Sequence, residues 1–538
     1  MSNNLLKAPQ RSAWVRIAST LPEILRAASI AVATFLIVSF IVVSLKRAVY
    51  PYELEWMEGG SVDHVRWLLS GHRLYAHPTL AFIPYAYTPL YYYLGAALCW
   101  IVGVGFWPLR ALSIVSTLLT AGIIFRLLRH ETKNNLAAFW GAAFYLGTYS
   151  LAGYWFDLGR VDALEILFIA LAVDSTRRGG AGPSALAAGV WLSLGVLTKQ
   201  TAVVGILPIG LYLFIGSRKR LGYFLLGIAV VGCGGLLFLD HVHDGWLRYY
   251  TFTLLSGHDT EPSAYWGFWR ADVNRLMPLA VMMVISGWLW RRNRGTHGAS
   301  LWFYETLTLA LLVASYASRL HAGAANNVLM PALLGGALGL GLATHVFGAA
   351  WDSVDCRAAR EPLPLARRVV FYALVLLQFS LLAYAPWNHV PSASDKAGGD
   401  AFVKLLRGLN GDAYVIDHGY YAALAGKQTF AQGMALADVI RGDRGPVSRE
   451  LVNELALAIR TQRFGAVVVG TVVPDTIDPF NSLWKDGLQL ASIPDTIAED
   501  LQTWYSPAGR LFGDTVAFTP VVGWRRRPAV VLLPKPVP

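Results

Sequence analysis

Eleven apolar runs of about 15–20 residues fill most of the first 386 positions of this 538-residue chain. They fall at roughly 27–45, 108–126, 136–154, 161–175, 184–198, 200–216, 221–240, 275–290, 301–318, 328–350 and 369–386. A bilayer's hydrocarbon core is about 30 Å thick and offers backbone amides no water, so runs of this length read as spanning α-helices. The composition agrees: 55% of residues are hydrophobic, 15% are charged and 19 are Trp, too apolar for a water-soluble chain of this size. The expected fold is a multi-span α-helical membrane protein of about 11 transmembrane helices. The first run follows a basic start (Lys7, Arg11, Arg16, Arg26) with no small-residue cleavage site, so it reads as an uncleaved anchor. Cys99, Cys233 and Cys356 lie far apart, in or near apolar segments, which argues against a disulfide framework or a thiolate metal site.

The run 89–106 decides sidedness. Read as an interfacial helix, which its Tyr, Trp and Gly content suits, it leaves every basic cluster on one side. Those clusters are Arg126/Arg129/Lys133, Arg177/Arg178, Arg218/Lys219/Arg220, Arg291/Arg292/Arg294 and Arg357/Arg360/Arg367/Arg368. With the N-terminus they hold 19 of the 30 Lys/Arg in residues 1–386, the signature of cytoplasmic segments. The expected topology therefore has the N-terminus inside, the C-terminus outside and the chain in the inner (cytoplasmic) membrane. This choice also gathers on the outer face the loop 48–107, the Phe156–Asp162 turn, Thr198-Lys199-Gln200, the loop 241–274, and Arg319-Leu-His321 with Asn326-Asn327. From Trp387 onward 15 Lys/Arg meet 15 Asp/Glu, so the net +11 belongs to the membrane half. Spread over short loops, that excess suits lipid headgroups rather than nucleic acid.

After Pro386 the pattern changes. Apolar runs Ala413–Ile416, Gly465–Val469 and Ala529–Leu533 alternate with a helical-looking stretch, Ser448 to Arg463. The expected organisation is a transmembrane catalytic domain at 1–386 and an extracytoplasmic, soluble α/β domain at 387–538.

Charged groups at a bilayer surface are costly unless water, a cation or a reacting group employs them. Glu55 and Glu58 stand three apart in Tyr52-Glu-Leu-Glu-Trp-Met-Glu58, on one face if the segment is helical. They are either solvated charges at a helix entrance or a general base for an acceptor hydroxyl, and the position between an anchor and an aromatic segment favours the base. Glu53 lies off that face. Arg160 with Asp157 or Asp162 is either a structural brace or a site for a phosphate and a sugar. Lys199 interrupts an apolar stretch, either snorkelling or awaiting an anion. Arg270, Arg319 and His321 are weaker candidates of the same kind. The Tyr85–Tyr93 run, with Tyr87 at its centre, suits an interfacial belt and equally a wall for sugar rings. His241, His243 and Asp244 read as a wet loop rather than a metal site, and Asp417-His418 has no nucleophile motif beside it.

The order of helix, acidic loop, Gly71-x-x-Leu-Tyr75, the Tyr87-x-Pro-Leu-Tyr91 block, Gly-Arg-Val-Asp162-Ala-Leu and Leu197-Thr-Lys-Gln200 resembles the GT-C class of integral membrane glycosyltransferases. Within it, residues 27–386 resemble the bacterial family-39-like group of protein mannosyltransferase relatives and lipid A aminoarabinose transferases. The resemblance implies a polyprenyl-phosphate sugar donor, a hydroxyl-bearing acceptor (lipid, glycan or protein) and inversion at the sugar carbon. It also implies a catalytic carboxylate in the first outer loop, a site-shaping acid at Asp162 and a phosphate partner at Lys199. The family's Asp-Glu pair is replaced here by Glu55-Trp-Met-Glu58, so the base is Glu55 or Glu58. A divalent cation is required by some members only, and the carboxylates leave it open. Two other classes fit less well. A polymerase or ligase with a lipid-diphosphate donor would carry a large loop between late spans, and a lipid or solute transporter would show inverted repeats.

Overall fold

A computed structural model describes residues 13–178, 180, 182–292, 298–321, 323–352, 362–472, 495–513 and 517–536. Each of the eleven apolar runs is helical, from Ala13–Ala48 and Phe106–Thr132 through Asp162–Arg177 and Gly182–Thr198 to Met330–Asp352 and Pro362–Leu381. Among the described residues, however, only four helices are long and apolar enough to cross a bilayer unaided: Thr20–Ala48, Phe106–Thr132, Arg218–Val242 and Asn326–Phe347. A fifth exists if Leu365–Leu381 and Pro386–Gly408, bent by 42°, count as one span. The expected eleven is thus not reached by length alone. The run 136–154 is a 13-residue helix that ends at Gly147 in a 3₁₀ turn, and Gly182–Thr198 has 17 residues. Leu90–Val102, the run that decides sidedness, also has 13 residues, or about 20 Å of helix, too short for the hydrocarbon core.

Helix packing follows membrane rules, with small residues at close approaches. At Gly189 a Cβ would lie 2.3 Å from the Phe224 carbonyl oxygen, and at Gly227 one would lie 2.8 Å from that of Leu186. The two helices therefore touch backbone to backbone there. Asn326–Phe347 is the central helix, 94% buried, whereas Arg218–Val242 is only 17% buried and presents its apolar surface outward.

The C-terminal region holds a four-stranded mixed sheet in the order β1-β2-β4-β3. Strands β1 (Ala413–Val415) and β2 (Ala466–Val472) run parallel, with Ala413 opposite Ala466, joined through the helix Pro446–Arg460. Strand β4 (Arg526–Pro534) pairs antiparallel with β2 and with β3 (Tyr505–Arg510). Three strands and the helix follow the sequence pattern. Strand β3 does not, because Pro507 and Gly509 interrupt the alternation and sit at a register shift.

This region is not set apart from the membrane half. The Val522 amide donates to the Leu54 carbonyl (3.0 Å) and the Ala431 amide to that of Leu80 (2.8 Å). Tyr52 packs in a core cluster with Phe402, Tyr421 and Phe518 and donates to Asp400 (2.6 Å). The first acidic loop is thereby clamped between the helices and the sheet region.

Candidate active site

The three carboxylates of the loop meet three different partners, Arg110, Arg160 and His418. Glu58, first residue of the helix Glu58–Leu69, is fully buried and gripped at both oxygens by Arg110 (2.8 and 2.7 Å). It also accepts from the backbone amides of Leu54 (3.0 Å) and Gly159 (2.8 Å). Burial pushes its pKa up, but Arg110 and these amides hold it below the usual carboxylate range. Arg110 spends its other donors on the carbonyls of Arg47, Tyr50 and Tyr52 (2.9, 2.5 and 2.5 Å). With every site on its carboxylate taken, Glu58 ties the loop to Phe106–Thr132. It is not among the residues that line the cavity described below.

Glu55 is equally buried but loosely held. Its Oε2 lies 3.4 Å from Arg160 Nη1, and its Oε1 has no hydrogen-bond partner. Burial pushes its pKa up to about 7, with Arg160 and the Met57 amide pulling it back only in part. Glu53, off the shared face, forms a close buried pair with His418 of the C-terminal region, and burial raises its pKa in turn. The sequence view of a single acidic face thus resolves into one brace to the helices, one brace to the sheet region and one open carboxylate. The three share no side-chain partner. Among the described residues no group of three or more His, Cys, Asp or Glu is arranged to hold a metal.

Glu55 opens onto a cavity of about 290 Å³. Tyr87, Arg160, Lys199, His321 and Asn327 line it too, so five residues gathered on one face by the topology argument do meet. The Arg160 guanidinium lies over the rings of Tyr85 (5.5 Å) and Tyr87 (5.8 Å) and donates to the Tyr87 hydroxyl at 3.3 Å. The brace to Asp157 or Asp162, one of its two sequence readings, is not formed: Asp157 pairs with Arg47 (3.1 Å) and Asp162 with Lys199 (2.7 Å). Asp162 Oδ1 also accepts from Asn327 (2.9 Å), and Glu165 stands 3.7 Å from the Lys199 ammonium. Lys199 is therefore not a waiting point charge. It is shared between two buried acids, with the cavity on its remaining side.

Two weaker candidates fall outside. Arg319 is turned to Asp272 (2.8 Å) and the Ala324 carbonyl, and Arg270 is exposed on the segment Phe268–Asp272. The His-x-His-Asp segment is spread apart: His243 is buried with its Nδ1 against the Leu239 carbonyl, while Asp244 meets Arg73 at the surface. Asp417 is held by Arg526 (3.0 and 3.1 Å).

Several residues of the site were invisible in sequence. Trp155 lines the cavity beside the Phe156–Asp162 turn, and His258, from the loop 241–274, meets His321 at 3.1 Å. The C-terminal region adds Met434, Asp438 and Trp524, with Trp524 stacked on Trp56 (6.1 Å between centroids, 6° between planes). Arg110 alone carried a signal, as a charge just inside an apolar run.

Residues 84–238 match the family described as dolichyl-phosphate-mannose-protein mannosyltransferase, under a third of the chain. No curated protein matches the sequence. Two solved structures are similar over nearly the whole length. One is ArnT from Cupriavidus metallidurans bound to undecaprenyl phosphate, at 12% identity and a TM-score of 0.55, covering 93% of this chain and 97% of that one. The other is the apo state of the same protein, at 14% identity and a TM-score of 0.56 with the same coverage. The chain has the GT-C fold. It is a multi-pass membrane protein of that architecture, and the matched family segment, 84–238, contains Tyr87, Arg160, Asp162 and Lys199 of the cavity wall.

Proposed function

We propose that the protein moves a sugar from a polyprenyl-phosphate donor to a hydroxyl acceptor on the outer face of the cytoplasmic membrane. The observation that carries this reading is a cavity whose lining brings one open carboxylate, Glu55, together with two cations, Arg160 and Lys199. An acceptor hydroxyl attacks the anomeric carbon, a new carbon–oxygen bond forms, and the bond to the lipid phosphate breaks with its electron pair leaving on phosphate. Glu55 takes the hydroxyl proton. With a pKa near 7 it is a base matched to neutral pH. Arg160 stabilises the departing charge, because its contacts to Glu55 and Tyr87 at 3.3–3.4 Å leave donors to spare, and Lys199 supports it while holding Asp162.

Two resemblances support the donor class: the family segment over 84–238, and an overall fold shared with a protein solved with undecaprenyl phosphate. The test is transfer or donor consumption by purified protein given a panel of radiolabelled polyprenyl-phosphate sugars. Glu55-dependent release of polyprenyl phosphate is expected. Full turnover by Glu55→Gln would refute the mechanism.

A further inference from the structure

The cavity lining combines two unlike sets of residues. Arg160, Lys199 and Asn327 are polar, and Trp56, Trp155 and Trp524 bring three indoles. That set of indoles is built. Arg526, fixed by Asp417, lies over the Trp56 ring at 5.1 Å, and Trp524 stacks parallel on it. Trp56 and Trp155 are about 95% buried, whereas Trp524 keeps 46% of its surface open. Trp155 Nε1 and Glu55 Oε1 are both buried polar atoms with no hydrogen-bond partner, a costly state unless a ligand completes them. Gly523, at φ +66°, brings the C-terminal chain against both side chains, so that a Cβ there would lie 3.2 Å from Glu55 Cγ and 3.2 Å from the benzo edge of the Trp155 ring.

We propose that the acceptor is a carbohydrate, seated on the Trp155–Trp524 wall with its attacking hydroxyl turned to Glu55. This rests on the glycosyl-transfer reading above and narrows it. Flat indole faces match the C–H faces of a pyranose ring, the indole N–H can donate to one hydroxyl, and Glu55 accepts from another. A peptide acceptor would bring backbone amides and carbonyls in need of partners, which this wall does not supply. Specificity for the acceptor then resides partly in the C-terminal region, through Gly523 and Trp524.

Full-length protein in lipid nanodiscs, free of glycosidic detergent, is titrated with methyl glycopyranosides of glucose, mannose and galactose. Saturation-transfer difference NMR reads binding. At least one glycoside is expected to receive saturation on its ring protons. Trp524→Ala should weaken that binding roughly tenfold and Trp524→Phe much less. Trp155→Phe, which keeps an aromatic ring but removes the N–H with the pyrrole half of the indole, should weaken it several-fold and carries the test if Trp524→Ala fails to fold. The assignment is overturned if no glycoside is saturated, if a Ser/Thr peptide is saturated instead, or if Trp524→Ala and Trp155→Phe both bind as wild type. Thermal stabilisation of the wild type by undecaprenyl phosphate is measured in parallel. Lipid binding without glycoside binding removes only the carbohydrate acceptor, whereas loss of lipid binding removes the donor reading beneath it.

Discussion

Glu55→Gln and Glu58→Gln should fail in opposite ways, although the residues are three apart and both fully buried. In Glu55→Gln the lost charge had one partner at 3.4 Å and one oxygen with none, so little packing is disturbed. Turnover should drop by about 10²–10⁴, the usual worth of a general base. Stability should drop less than in Glu58→Gln, because the buried Arg160 loses a counter-ion held only at 3.4 Å. A carboxyl raised from 4.5 to about 7 in the fold favours the folded state fully below about pH 4.5 and loses that advantage as pH rises through 7. Above pH 7 the ionised Glu55 therefore costs on the order of 1–3 kcal/mol, which the uncharged Gln removes. In Glu58→Gln the buried Arg110 keeps its charge and loses its counter-ion. Removing one partner of a buried pair costs about 3–5 kcal/mol. The assay is paired melting curves at pH 6 and pH 8 with turnover on a verified donor. Wild-type turnover should rise with pH up to about 7 and then level, as Glu55 loses its proton. The reasoning is refuted if Glu58→Gln melts like wild type yet is inactive, or if Glu55→Gln turns over normally.

Arg110→Met should reproduce the instability of Glu58→Gln, again about 3–5 kcal/mol by chemical melting, and the double variant should be less unstable than the two losses added. Lys199→Met strands Asp162 beside Glu165 and should lower both melting temperature and undecaprenyl phosphate stabilisation, with Lys199→Arg milder on each; unchanged lipid binding would reduce Lys199 to a brace. A reporter fused after Pro538 should read as extracytoplasmic, and a cytoplasmic signal would overturn the sidedness argued from the basic clusters.

Periodicity and composition made the helices legible, since each apolar run must be helical in lipid. They did not show where a run stops short. Gly147 closes one helix at 13 residues, and such breaks depend on packing as much as on apolar length. The sheet was readable at Val467–Val469 and Ala529–Leu533, and unreadable at Pro507 and Gly509, where a bulge replaces alternation. The site was half legible. Glu55, Tyr87, Arg160, Lys199 and His321 stood out as polar residues at the edges of apolar runs, and they do share one cavity. What separates Glu55 from Glu58 is a partner 52 positions beyond Glu58, and no local pattern announces Arg110 as that partner. Trp524 and Asp438 reach the cavity from a region that sequence treats as a separate domain. Their place depends on long-range contacts such as Val522 to Leu54.

The central claim is that the Glu55 cavity holds a polyprenyl phosphate with its headgroup against Arg160 and Lys199. A structure of the full chain determined with undecaprenyl phosphate tests it most directly. Phosphate density is expected within hydrogen-bonding distance of Arg160 Nη1 or Lys199 Nζ. Phosphate bound outside the cavity, or on the tryptophan wall, would contradict it.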